Sequence, residues 1–109
     1  MDYPVKTEGT YAVISLTGEV DMHCSPKARQ QILDQLSANL SVLVDLSAVD
    51  YIDSSGIASL VEGLRVAKSN HLDFALVGIS KPAMQVLELA KLDRVFPIHD
   101  SAADAMDAS

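Results

Sequence analysis

The spacing of hydrophobic positions changes along the chain, and each change marks an element. From Tyr11 to Thr17 it alternates, with Ala12, Ile14 and Leu16 on one side and Tyr11, Val13 and Ser15 on the other. That is the period of a strand with one face more deeply buried. Val5 to Thr7 precedes it, and Glu8-Gly9 in between offers a residue free to take positive φ, so the two runs are predicted to pair as a hairpin. Behind Ser25-Pro26, an N-cap followed by a first-turn proline, Ala28, Ile32, Leu33 and Leu36 recur at helical spacing. Val42-Leu43-Val44 and Phe74-Ala75-Leu76-Val77 are unbroken apolar runs of the kind found in central strands covered on both faces. Between them Ile57, Leu60, Val61, Leu64 and Ala67 define a helix that opens at Ser54 or Ser55 and ends near Asn70.

Ser80 and Pro82 open another helix running to about Lys91. Val95 to Ile98 reads as a short strand that Pro97, with no N–H to donate, confines to a sheet edge, and a last helix opens at Ser101. A hairpin followed by βα units predicts an α/β domain with a mixed four- to five-stranded sheet and about four helices. Its central parallel strands are joined by right-handed crossovers.

Composition narrows the picture. A chain of 109 residues has room for one domain, with a core from about 5 to 99 and a small, acidic, Ala-rich helix or tail over 101–109. Hydrophobic residues at 49% and charged residues at 21% suit a folded domain, and the absence of Trp leaves the core to Leu, Val, Ile, Ala and Met. Eight Lys and Arg against 15 Asp and Glu give a net charge of -7, which argues against nucleic acid or an anionic membrane as partner. The single Cys24 precludes an internal disulfide and a Cys-ligated zinc, and it reads as an inert small residue. Met1 to Thr10 lacks the basic-then-apolar pattern of a secretory signal, and no apolar run approaches the roughly 20 residues that span a bilayer. A cytoplasmic protein without direct membrane insertion is expected.

The chemistry-bearing segment is Val44 to Leu60, VDLSAVDYIDSSGIASL. It is read as leaving a buried strand at Asp45, crossing a loop that contains Asp50 and Asp53, and entering a helix through Ser54-Ser55-Gly56. Loops at the carboxyl ends of strands are where open α/β sheets gather ligands and partners. A helix start also offers unpaired N–H groups and partial positive charge, and Gly56 leaves room for close approach by another molecule. A plain capping role for Asp53 or Ser54 explains the same residues.

Other chemistries fit less well. A serine hydrolase using Ser54 or Ser55 with His23, His71 or His99 lacks a G-x-S-x-G elbow. Asp45, Asp50 and Asp53 do not have the spacing of a calcium loop and suit turns and caps equally. Glu19, Asp21, Asp45 and Lys81-Pro82 imitate a phospho-receiver domain, but that fold does not open with a hairpin, and a βα unit is missing between Asp45 and Lys81.

The arrangement as a whole resembles a family. Leu16-Thr17-Gly18-Glu19-Val20-Asp21, Val44-Asp45-Leu46-Ser47-Ala48-Val49 and Ile52-Asp53-Ser54-Ser55-Gly56 are similar, in order and spacing, to the STAS domain of bacterial anti-sigma factor antagonists. The resemblance runs from about Val5 to His99. It implies that Ser54, or as second choice Ser55, is phosphorylated by a serine kinase that is also the anti-sigma factor, with Asp21, Asp53 and Gly56 flanking the site. It also implies that the unphosphorylated form binds that partner and releases its target, and that a PP2C-type phosphatase reverses the modification. ATP and Mg²⁺ then belong to the kinase, and this chain is a substrate with no cofactor, metal or catalytic residue of its own. A STAS subunit of an ABC-type membrane transport complex is the alternative of a different class.

Two surfaces complete the reading. Opposite the core-facing arc of the Ser54 helix lie Ser59, Glu62, Gly63 and Val66, a flat face which, with Ser55, is expected to dock the partner. On the helix from Lys81 to Leu92, Ala83, Val86, Leu87 and Ala90 form the expected core face. Met84, Leu89 and Leu92 are left at its margin as extra core or as a second contact surface in a monomer or weak dimer.

Overall fold

A computed structural model describes residues 2–108. The elements run β1 (Val5–Glu8), β2 (Tyr11–Val20), α1 (Ser25–Ser37), β3 (Ser41–Ile52), α2 (Ser54–Ser69), β4 (Phe74–Val77), α3 (Lys81–Leu89), β5 (Ile98–His99) and α4 (Ala102–Asp107). The strands form one sheet in the order β1-β2-β3-β4-β5. β1 is antiparallel to β2 and the other neighbours are parallel, as the sequence of hairpin and βα units predicts. Gly9 turns the hairpin at φ 60°.

Helices α1, α2 and α3 cover one face. There Ile14, Leu16, Val42, Val44 and Leu76 pack against Ile32, Leu60, Ala83 and Leu87 in the main core. The opposite face carries Val13, Leu43, Ala75 and Val77, covered by Ala105 of the short α4. This two-sided burial explains why β3 and β4 read as continuous apolar runs.

The sequence reading ends β3 too early. β3 continues to Ile52, so Asp50 lies in the strand and not in a loop. The register with β2 slips between Ser15 and Thr17 and again between Gly18 and Glu19, each time placing one additional residue in β3. These bulges reset the side-chain alternation. Leu46, Val49 and Ile52, three residues apart, therefore all reach the helix-covered core. Beyond Asp45 the strand outruns β4, and Ser80 takes over that edge by donating its N–H to the Leu46 carbonyl (3.1 Å) and its Oγ–H to the Val49 carbonyl (2.7 Å).

Other boundaries also shift. α1 is entered through Cys24, not capped by Ser25, which is buried as the first helical residue. The turn before it is closed by Asp21, whose Oδ1 accepts from the N–H groups of His23 (3.0 Å) and Cys24 (3.2 Å). α3 stops at Leu89 because Lys91 turns left-handed at φ 60°, and Ala90 is exposed instead of joining the core face. β5 is reduced to Ile98–His99 at the far edge, where the Pro97 carbonyl accepts from Leu76 N–H.

Candidate functional site

β2 and β3 run side by side to their carboxyl ends, where Val20 is paired with Ile52. The chain then turns into α2 through Asp53, whose N–H donates to the Val20 carbonyl (3.3 Å) and whose backbone is extended. That conformation aims its carboxylate back at the helix start. Oδ1 accepts from Ser55 Oγ–H (2.5 Å), Ser55 N–H (3.0 Å) and Gly56 N–H (3.2 Å). The Ser55 hydroxyl above all, with the backbone N–H groups of Gly56, Ser55 and Met22, holds the Asp53 carboxyl below the ordinary carboxylate range, against a partial desolvation that pushes the other way.

Gly56 serves this junction. A Cβ there would stand 2.6 Å from Ile52 Cγ1 and 2.7 Å from the Val20 carbonyl oxygen. Its lack of a side chain lets α2 sit directly on the ends of β2 and β3; the close neighbour is this chain itself, not another molecule.

The two serines are thereby made unequal. Ser55 is half-buried with its hydroxyl held by Asp53, whereas Ser54 is exposed and, among the described residues, its hydroxyl has no hydrogen-bond partner. Asp21 reaches the same corner indirectly, since its carboxylate shapes the turn that brings the Met22 N–H to Asp53. Asp21, Asp53, Ser54, Ser55 and Gly56 thus meet at one end of β2 and β3. Asp45 does not join them; its Oδ1 is taken by Ser47 N–H (2.8 Å) and Oγ–H (2.7 Å). Among the described residues no three or more His, Cys, Asp or Glu side chains come together as metal ligands would.

The expected docking face of α2 is largely covered. Ser59 is only 6% exposed, and its Oγ–H points at the carbonyls of Ser55 (3.1 Å) and Ser25 (3.3 Å). A Cβ on Gly63 would meet Phe74 Cε2 at 2.7 Å and Ile32 Cγ2 at 2.8 Å. Glu62 holds Arg29 of α1 through two bonds of 2.8 and 2.7 Å, and Val66 packs half-buried against the core. The small residues on this flank exist to let α1 approach α2. Only Ser55 of that predicted set lies at the corner with Ser54.

Two exposed large side chains near the carboxyl ends of β2 and β3 carry no role in the sequence reading. Met22 is 68% exposed and Tyr51 49% exposed, and Tyr51 is the ladder partner of Glu19. Tyr51 carried a weak signal, as a large apolar residue between Asp50 and the core position Ile52; Met22 carried none. On α3, Leu89 is 85% exposed, while Met84 is half-buried and Leu92 packs on the main core.

The fold has counterparts among known proteins. The STAS domain family model matches residues 3–105, and the chain belongs to the STAS domain family. It is 22% identical over 96 residues to the anti-sigma F factor antagonist of Paenibacillus polymyxa, covering 86% of this chain and 82% of that one. An anti-sigma-factor antagonist (STAS) domain protein of Planctomyces limnophilus superposes with a TM-score of 0.87 at 26% identity, over 99% of this chain and 97% of the other. The Bacillus cell fate determinant SpoIIAA in its phosphorylated form shares the fold at 18% identity and a TM-score of 0.76, over 97% of each chain. No helix of the described residues is long and apolar enough to cross a membrane.

Proposed function

We propose that this chain is an anti-sigma factor antagonist acting in a partner switch, with Ser54 as the switch residue. The observation that carries the reading is the free Ser54 hydroxyl beside a carboxylate-locked Ser55; the relatives named as anti-sigma factor antagonists support the pathway. The unphosphorylated form binds an anti-sigma factor that is also a serine kinase, and so frees its target. The kinase brings ATP and Mg²⁺, a PP2C-type phosphatase removes the phosphate, and this chain is substrate to both in the cytoplasm.

The electrostatics suit such a switch. A phosphoryl group adds about -1.5 to -2 charge at neutral pH. The anion-binding capacity of a helix start is ordinarily open to it, but here the Ser55 and Gly56 N–H groups already serve Asp53. The phosphate therefore projects outward beside a carboxylate, where a docked partner has to desolvate it. About 3 kcal/mol of uncompensated desolvation and repulsion lowers affinity roughly a hundredfold. No refolding of the domain is required.

The test is recovery of a partner kinase from the native cells by wild type, Ser54→Ala and Ser54→Asp. Wild type and Ser54→Ala retain the kinase and Ser54→Asp loses it. Equal recovery by all three contradicts the reading.

A further inference from the structure

We propose that a recess at the end of the sheet remote from Ser54, where the edge of β4 is left open at Phe74, binds a small uncharged ring compound through the cis amide of a lactam. The inference is independent of the switch reading and concerns a second site.

The site originates in Pro97. β4 and β5 pair in parallel only at Leu76 beside Ile98 and Val77 beside His99. Along this ladder Leu76 N–H donates to the Pro97 carbonyl (2.9 Å) and Gly78 N–H to the His99 carbonyl (3.0 Å). One step earlier in the same register, the donor facing the Phe74 carbonyl would be the N–H of residue 97, and proline has none. β3 offers no substitute. Val42 N–H donates to the Asp73 carbonyl (3.0 Å), which turns both backbone groups of Phe74 away from β3 and toward the β5 edge. Among the described residues, neither the N–H nor the C=O of Phe74 has a hydrogen-bond partner on that edge. Phe74 is only 3% exposed. Backbone groups buried to this degree rarely stay unpaired, and those the chain does not satisfy are met by water or a ligand.

Phe74 and Pro97 line a recess of about 270 Å³ that wraps round this edge. Leu43, Leu64 and Leu72 give it apolar walls, and Ala75 and Ala105 leave space that larger side chains would fill. Apolar walls with a few convergent polar groups are the ordinary make-up of a small-molecule site, and the volume suits a molecule of one or two rings.

The two backbone groups select the ligand. On the edge of a strand the N–H and C=O of one residue point the same way, so their complement holds an acceptor and a donor side by side. The cis amide of a lactam has that edge. An added peptide strand is a poorer match, because the open edge is one residue long: Leu72 N–H is already bonded to the Ala67 carbonyl (2.8 Å) and Leu76 N–H to Pro97. Charge at the rim is balanced. Lys68 and Asp73 stand there with Tyr11 and His99; Tyr11 donates its hydroxyl to Asp73 Oδ2 (3.3 Å), and Lys68 forms none of the ion pairs of the described residues. One cation and one anion, with His99 neutral at pH 7, favour neither an anionic nor a cationic ligand.

The experiment is a proton–nitrogen correlation NMR titration of the protein with 2-quinolone, a fused lactam, and with N-methyl-2-quinolone, whose donor is blocked. On wild type, 2-quinolone moves the Phe74 amide proton downfield and shifts the amides of Leu72, Ala75 and Ala105, with a dissociation constant below about 1 mM. N-methyl-2-quinolone binds at least about tenfold more weakly. Pro97→Ala supplies the missing donor, so the amide gained at position 97 is protected from hydrogen exchange and 2-quinolone binds at least about threefold more weakly. Ala105→Leu fills the recess from α4 and abolishes the shifts. No shift of the Phe74 amide up to the solubility limit, or equal affinity for the two compounds, overturns the proposal. Pro97→Ala binding 2-quinolone as wild type does, or Phe74 shifts that follow protein concentration alone, as a second copy on this edge would produce, overturns it too. Should Pro97→Ala not fold, the two compounds on wild type decide the matter by themselves.

Discussion

Two helices start at the same end of the sheet with a serine, and they use it in opposite ways. At α3 the serine is the cap. Ser80 Oγ accepts from Ala83 N–H (3.3 Å) and donates to the Val49 carbonyl (2.7 Å), so its hydroxyl is committed on both sides. At α2 the cap is Asp53, whose acceptor-only carboxylate takes three donors at once and leaves Ser54, the first helical residue, with nothing to do in the fold. Ser101 at α4 repeats the first pattern, accepting from Asp104 N–H (3.1 Å). A serine that caps a helix is structural, and a serine that follows a carboxylate cap is available for chemistry.

The contrast can be broken most severely at Ser54. Ser54→Asp loses partner affinity by roughly a hundredfold, read by titration calorimetry, with no change in thermal midpoint. Next in size is Gly56→Ala, which drives a Cβ into Ile52 and the Val20 carbonyl. A denaturant titration is expected to show a loss of about 1–3 kcal/mol, and phosphorylation of Ser54 slows as the helix start is displaced. Ser80→Ala is the inverse of the first variant. It costs about 1 kcal/mol of stability through the lost cap, and partner binding and modification are unchanged.

The smallest effect concerns acid. Because the folded Asp53 carboxyl titrates below its ordinary value of 3.8, its cap contributes stability that is fully present above that value and disappears as pH falls through the lower folded one. Between pH 5 and pH 3 the wild-type thermal midpoint is therefore expected to fall more than that of Asp53→Asn. An equal fall in both would show that Asp53 does not set the cap.

Much of this was legible beforehand. The alternation in β2, the apolar runs of β3 and β4 and the Asp-Ser-Ser-Gly entry to α2 are local signals, and the fold follows them. The second half of β3 was hidden because its two bulges place Leu46, Val49 and Ile52 three apart, a spacing that belongs to neither regular strand nor helix. The flank of α2 was misread for a different reason. Ser59 and Gly63 are small, and small residues in a sequence look alike whether they face water or admit a neighbouring helix; only the position of α1 distinguishes the two. The exposure of Met22 and Tyr51 became visible only once the Asp21 turn and the bulged end of β3 were in place.

The central claim is that one hydroxyl at this corner is free and its neighbour is not. Phosphosite-resolved mass spectrometry of wild type, Ser54→Ala and Ser55→Ala, each purified from the native cells, tests it most directly. Phosphate on Ser54 in wild type and in Ser55→Ala, and none in Ser54→Ala, is the expected result. Phosphate on Ser55 or Ser80 with Ser54 unmodified, or no phosphate on the wild-type protein, would contradict it.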